Sequence, residues 1–80
     1  MTDPIQALAD RMAALPSVTD VAVKSSSVIT YKHRDLLAGI CYCILELLPD
    51  GRIFDSVRSI GSTINEYHVS SDEFINWLEQ

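Results

Sequence analysis

The chain has 80 residues, of which 48% are hydrophobic, and its eleven acidic and six basic residues give a net charge of −5. This apolar fraction excludes a disordered chain, and we expect one small domain over residues 1–80. The acidic balance argues against general nucleic-acid binding, which needs many Lys and Arg side chains to neutralise phosphates. The apolar runs of the sequence are shorter than the ~18 residues that a membrane-spanning helix requires.

The first predicted element is a helix that begins at Asp3-Pro4. Asp3 is a suitable N-cap, Pro4 suits the first helical position, and Gln6 stands where a capping box places Glu or Gln. Pro16 should end the helix near Ala14. Helical spacing aligns one apolar stripe that must pack on the rest of the domain, namely Ile5, Leu8, Ala9, Met12 and Leu15.

Two short strands should follow as a hairpin. Residues 18–24 alternate valine with polar side chains, and residues 28–33 are rich in β-branched and aromatic residues. The three serines at 25–27 suit the turn between them.

A second, more apolar hairpin is predicted over residues 39–60. The run 40–48 meets Pro49-Asp50-Gly51, where Pro sets the first corner of a turn and Gly accepts the left-handed conformation. Apolar residues within 35–48 also fall at helical spacing, so a helix is the alternative for this segment. Gly39 and the turn that leads straight into Arg52 favour the strand.

Pairing Leu48 with Arg52 across that turn assigns every side chain of the hairpin to a face, because side chains alternate along a strand. One face is predicted to be core and carries Cys41, Cys43, Leu45 and Leu47 opposite Ser59, Val57, Asp55 and Ile53. The other face is mixed, and it is either covered by a helix or used as a contact surface. It carries Ile40, Tyr42, Ile44, Glu46 and Leu48 opposite Ile60, Arg58, Ser56, Phe54 and Arg52.

The C-terminal part of the sequence predicts a short edge strand over residues 63–69, followed by a helix. Ser70 and Glu73 form a capping box, and Val69 with Phe74 a hydrophobic staple. Phe74, Trp77 and Leu78 give this helix an apolar edge. The sequence therefore predicts an α+β domain of order α-β-β-β-β-α, with a mainly antiparallel sheet and the N- and C-terminal helices packed on it.

Two groups of residues could form a different kind of site, one for a metal or redox function and one for nucleic-acid binding. Cys41 and Cys43, with His33 and His68, could form a zinc or redox site, but cysteines in mid-strand more often pack as small core residues, and we expect no cofactor.

A basic patch of Lys24, Lys32, His33, Arg34 and Arg58 could bind nucleic acid, with Tyr31, Tyr42 and Phe54 as stacking platforms. A solvated face, with Arg58 lying over Tyr42, is the simpler interpretation. The common motifs for nucleotide and metal binding are absent from the sequence, and we expect no enzyme.

We expect a small acidic module that binds another protein and masks or assembles its surface. Inhibitors, immunity proteins and anti-defence proteins of phages and plasmids share this size and charge. Aromatic and Arg side chains are the usual anchors of such contacts, which selects Tyr42, Phe54 and Arg58. The last 20 residues contain no Lys or Arg, so Glu66, Asp72, Glu73 and Trp77 are a second candidate surface for a basic partner. A homodimer through the mixed face is a variant of this hypothesis.

A reducing compartment, most simply the cytoplasm, is expected. Cys41 and Cys43 lie two residues apart on one predicted strand, where a disulfide between them would strain the backbone. The first residues, Met1 to Pro4, lack the basic and apolar regions of a secretory signal.

Overall fold

In the part of the chain that the structure describes, five antiparallel strands form one sheet, and both helices pack on the same side of it. The structure is a computed structural model that describes residues 3–35, 39–59 and 61–79. The elements in chain order are α1 (Pro4–Ala13), β1 (Val18–Val23), β2 (Val28–Asp35), β3 (Gly39–Leu47), β4 (Ile53–Ser59), β5 (Ser62–His68) and α2 (Ser71–Glu79). The strands lie side by side in sequence order, β1-β2-β3-β4-β5. The predicted α+β class, antiparallel sheet and terminal helices are confirmed, and the predicted edge strand is a complete fifth strand.

The helix ends follow the predicted capping residues. The Asp3 side chain accepts a hydrogen bond from the Ile5 backbone N–H at 3.2 Å, while Gln6 donates its side-chain amide to Asp10. At α2, Ser70 Oγ accepts from the Glu73 N–H at 3.2 Å, and the Glu73 carboxylate accepts from the Val69 N–H at 3.2 Å. These bonds satisfy N–H groups that have no partner within the helices themselves.

The central hairpin has the predicted register. The Leu48 N–H donates to the Arg52 carbonyl at 2.8 Å, and Gly51 adopts the left-handed conformation at φ 91°. Tyr42 then faces Arg58, and Leu45 faces Asp55. Residues 39–47 are strand, so the helical alternative is wrong for them; residues 36–38 and Ile60, which the prediction also included, lie outside the described residues.

One side of the sheet and the two helices enclose the core. Leu45, Ile29 and Ile53 are fully buried at the centre of the sheet. The helices cover them with the apolar stripe of α1 and with Phe74, Ile75 and Leu78 of α2. The predicted core face of the hairpin is therefore confirmed, and the sheet face on the other side has no helix over it among the described residues.

Neighbouring residues of β3 test this assignment of faces. Leu45→Ala should lower the free energy of unfolding by about 2–5 kcal/mol, because it leaves a cavity under the helices. Ile44→Ala, on the other side of the same strand and at a side chain that is 50% exposed, should cost less than about 1 kcal/mol. Chemical denaturation of the two variants measures both values. Equal costs would contradict the one-sided core.

Candidate partner-binding surface

The sheet face that lies opposite the helices, here called the open face, is lined by large apolar side chains. Ile40, Tyr42 and Ile44 project from β3 and are 55%, 60% and 50% exposed, and Tyr67 on β5 is 69% exposed. Their positions follow from the alternation within β3, since Cys41, Cys43 and Leu45 occupy the buried positions between them. Exposed apolar groups gathered on one surface are typical of a binding site.

Aromatic side chains dominate one half of the open face. Phe54 and Tyr67 are cross-strand partners on β4 and β5, and their ring centroids are 4.8 Å apart. Phe54 is half-buried in this contact, whereas Tyr67 stays exposed. Of the predicted anchors on this face, Tyr42 and Arg58 are also cross-strand partners, and both are exposed. The structure therefore brings Tyr42, Phe54 and Arg58 together on one surface, as predicted.

A shallow depression on the open face reaches from Asp20 on β1 to Thr63 on β5, with Tyr42 and Arg58 in its lining. Its volume is about 450 Å³. A bulge in β1 places Asp20 at φ 55°, and the Asp20 carboxylate forms an ion pair with Lys32 Nζ at 3.0 Å. The same Nζ lies 5.3 Å from the centroid of the Tyr42 ring, so Lys32 is the cation over this ring, the place that the sequence assigned to Arg58. The hydrogen bond to Asp20 raises the pKa of Lys32.

The second predicted surface lies on the opposite side of the sheet. Asp72 is exposed and forms an ion pair with Arg11 of α1 at 2.9 Å. Glu73 caps α2, and half-buried Trp77 packs against the core, 5.1 Å from His68 between ring centroids. Glu66 occupies the helix side of β5, because it pairs with Asp55. The sheet thus separates these four residues from the three anchors on the open face.

Charge is distributed unequally between the two sides. Lys32, Arg34 and Arg58 alternate onto the open face, with Glu46 and Asp20 as the acids there. Among the described residues, most acids lie on the helix side, namely Asp10 on α1, Asp72, Glu73 and Glu79 on α2, and Asp55 and Glu66 on the helix-facing side of β4 and β5. The net charge of −5 therefore arises mainly from the helix side. The open face itself is nearly neutral.

The candidate metal and stacking residues are mostly inside the protein. Cys41 and Cys43 are each 3% exposed, and burial raises the pKa of the Cys43 thiol to about 12, as expected for inert core cysteines. Among the described residues, no three His, Cys, Asp or Glu side chains group closely enough to hold a metal ion. His33 and Tyr31 are 8% and 2% exposed on the helix side, so neither belongs to the basic patch or the stacking platforms that the sequence offered as an alternative, and His33 is not on a solvated face either.

A buried carboxylate that the sequence analysis did not single out lies under the helices. Asp55 is fully buried, and its two oxygens lie 2.8 and 2.9 Å from the Tyr31 hydroxyl, which donates to the carboxylate. Burial raises the pKa of Asp55 to about 6, although the bond from Tyr31 lowers it. Its signal in the sequence was an acid at a core position of the alternation, opposite Leu45.

Comparisons with protein-family models, with curated proteins and with solved structures found no match to this chain. None of the helices within residues 3–35, 39–59 and 61–79 has the length and apolar character needed to cross a membrane. The surface itself is therefore the basis for a functional conclusion.

The raised pKa of Asp55 predicts the sign of a pH effect. Because the folded state holds the proton more tightly, the stability from this group is present below the ordinary pKa of 3.8 and is lost as pH rises through about 6. Asp55→Asn keeps an oxygen that can accept from Tyr31 and removes the buried charge. It should raise the free energy of unfolding at pH 7 by about 1–3 kcal/mol and flatten its dependence on pH between 4 and 6.

Asp10→Asn, at an exposed position of α1, is the matched control and should change neither value appreciably. Denaturant titrations at a series of pH values measure the effect. A loss of stability in Asp55→Asn at pH 7 would show that the ionised carboxylate is favoured in the fold.

His68 should act in the opposite direction. It is 5% exposed between Phe74 and Trp77, and its Nε2 has no hydrogen-bond partner among the described residues. Burial lowers the pKa of His68, against the opposing effects of Glu66 and Glu73, so its contribution to stability is present above pH 6.5 and is lost on acidification. An NMR titration should give His68 a pKa below 6.5. His68→Leu removes this contribution, so between pH 6.5 and 5 its stability should change more favourably on acidification than that of the wild-type protein. A pKa above 6.5 would contradict this environment.

Proposed function

We propose that this protein is a protein-binding module whose open face docks on an apolar surface of a partner. The observation that supports this most is the exposure of Ile40, Tyr42, Ile44 and Tyr67, which is at least half for each side chain, on the sheet face opposite the two helices and the core. A small domain has few apolar groups to spare, and leaving this many in water weakens its solubility unless a partner buries them.

The charge of the open face indicates what the partner offers. Arg58 beside Tyr42, and Lys32 beside its Asp20 partner, border the apolar centre. A partner surface with an apolar centre and a carboxylate near Arg58 would complement it, since paired charges at the margin give orientation and apolar contacts give affinity. Docking of this kind would act by masking or by assembly.

We also propose that the protein acts in a reducing compartment such as the cytoplasm. It is supported by the two cysteines, which are free and buried among core residues. This environment suits thiols that contribute only packing.

Alanine at Tyr42 should weaken partner binding by roughly 30-fold, which corresponds to the ~2 kcal/mol of a central aromatic anchor. The partner is first captured from extract with the wild-type protein, then purified and titrated by calorimetry. Wild-type amides of β3 and β4 should gain protection from hydrogen exchange in the complex.

The double substitution Asp72→Asn and Glu79→Gln, on the acidic helix, is the control and should leave affinity unchanged. If Tyr42→Ala and Arg58→Ala both bind as well as wild type while remaining folded, the open face is not the docking surface. Loss of binding in the helix variant instead would assign the function to the acidic side.

Single-stranded nucleic acid is a second candidate, favoured by one observation. Tyr42, Phe54 and Tyr67 lie on an open antiparallel sheet with Lys32 and Arg58 nearby, an arrangement that can stack bases and contact phosphates. Glu46 and Asp20 on the same face weaken this candidate. Salt-sensitive binding of a labelled oligonucleotide, lost in Tyr42→Ala, would support it over protein binding.

A further inference from the structure

The outer edge of β5 is a second surface where backbone N–H and C=O groups could pair with another strand. All seven residues from Ser62 to His68 pair with β4 on the inner side, in an uninterrupted register. On the outer side, β5 pairs with no strand among the described residues. Alternate backbone N–H and C=O groups of an edge strand point outward, where another strand can pair with them.

The opposite edge of the sheet is built differently. β1 is interrupted by the bulge between Thr19 and Ala22, with Asp20 in the left-handed conformation. A bulge and a charged side chain are the features that discourage strand addition at an edge. β5 has no bulge, Pro, Lys or Arg, and Glu66 is its one acidic residue; its side chains include Ile64 and Tyr67, which are 53% and 69% exposed.

The side chains of β5 are compatible with a second copy of the same strand. In an antiparallel pair centred on Asn65, the two Asn65 side chains face each other. Each Oδ1 accepts from Ser56 Oγ of its own chain at 2.8 Å and keeps a second lone pair for the side-chain NH₂ of the other copy. Thr63 of each copy then lies opposite Tyr67 of the other, a β-branched and aromatic pair that stabilises sheets. The single charge of the strand, Glu66, lies opposite Ile64 of the other copy, so the two carboxylates do not face each other.

We propose that two copies of this chain associate through their β5 edges, with a two-fold axis at Asn65, to form one continuous ten-stranded sheet. The seam would be seven residues or ~24 Å long, which gives a reversible dimer. The Phe54–Tyr67 pair of each copy would lie beside the seam, so the two open faces would join into one apolar surface. This association does not depend on the proposed partner, because it uses the strand edge.

A symmetric crosslink tests the position of the axis. In Asn65→Cys, the two introduced thiols would face each other with Cα atoms ~4.5–5.5 Å apart, within the range of a disulfide. Oxidised glutathione, which accepts the two electrons, should convert this variant to a covalent dimer rapidly. Asn76→Cys, at an exposed position of α2, is the matched control and should crosslink far more slowly. Cys41 and Cys43 are buried in the core and should not interfere.

Charge repulsion at the same position tests the native association. Sedimentation velocity over a dilution series should show the wild-type protein and Asn76→Lys as dimers that dissociate on dilution, and Asn65→Lys as a monomer throughout. A wild-type monomer at every concentration, or crosslinking of Asn65→Cys no faster than that of Asn76→Cys, would overturn the proposal. A dimer that survives Asn65→Lys but is lost in Tyr42→Ser would place the contact on the open face instead. Partner binding that fails in Tyr42→Ala while β5 crosslinking persists would separate the two proposals.

Discussion

The register of the β3–β4 hairpin determines which side chains this protein buries and which it leaves in water. Two backbone hydrogen bonds close its turn, from the Leu48 N–H to the Arg52 carbonyl and from the Gly51 N–H to the Leu48 carbonyl, and the left-handed Gly51 makes this turn possible. Because side chains alternate along a strand, a shift of one residue would exchange the two faces of β3. Leu45 would then point to water, and Tyr42 toward the helices.

The buried Asp55–Tyr31 pair makes the same register more specific. A carboxylate at the centre of a small core is costly unless a donor reaches it, and here the Tyr31 hydroxyl lies within 2.9 Å of both oxygens. Tyr31 is on β2 and pairs with Cys43, which in turn pairs with Val57 of β4. The phenol and the carboxylate therefore meet only when three strands are aligned, so an error in any of them leaves a buried charge without its donor.

Local patterns explain why much of this structure could be predicted from the sequence. The capping residues Asp3 and Ser70, the turn at Pro49–Gly51 and the alternation in β3 act within a few residues, and the structure has each of them. The misassigned residues depended on distant contacts. His33 looked like part of a basic cluster because Lys32 and Arg34 flank it, but in a strand the neighbours of a residue point to the opposite face, and His33 packs 5.9 Å from Trp77. The importance of Asp55 was hidden because its donor lies 24 residues away.

The bulge in β1 also has a consequence for how far an assembly of this sheet could extend. Its left-handed Asp20 and its ion pair with Lys32 leave one irregular, charged border to the sheet, while the border at β5 is regular. If the β5 edge accepts another strand and the β1 edge does not, each copy can pair with one other copy through β5 and has no second edge for a third. Growth by strand addition would end at a pair, which is how a short chain with an open apolar sheet can avoid the path toward fibres.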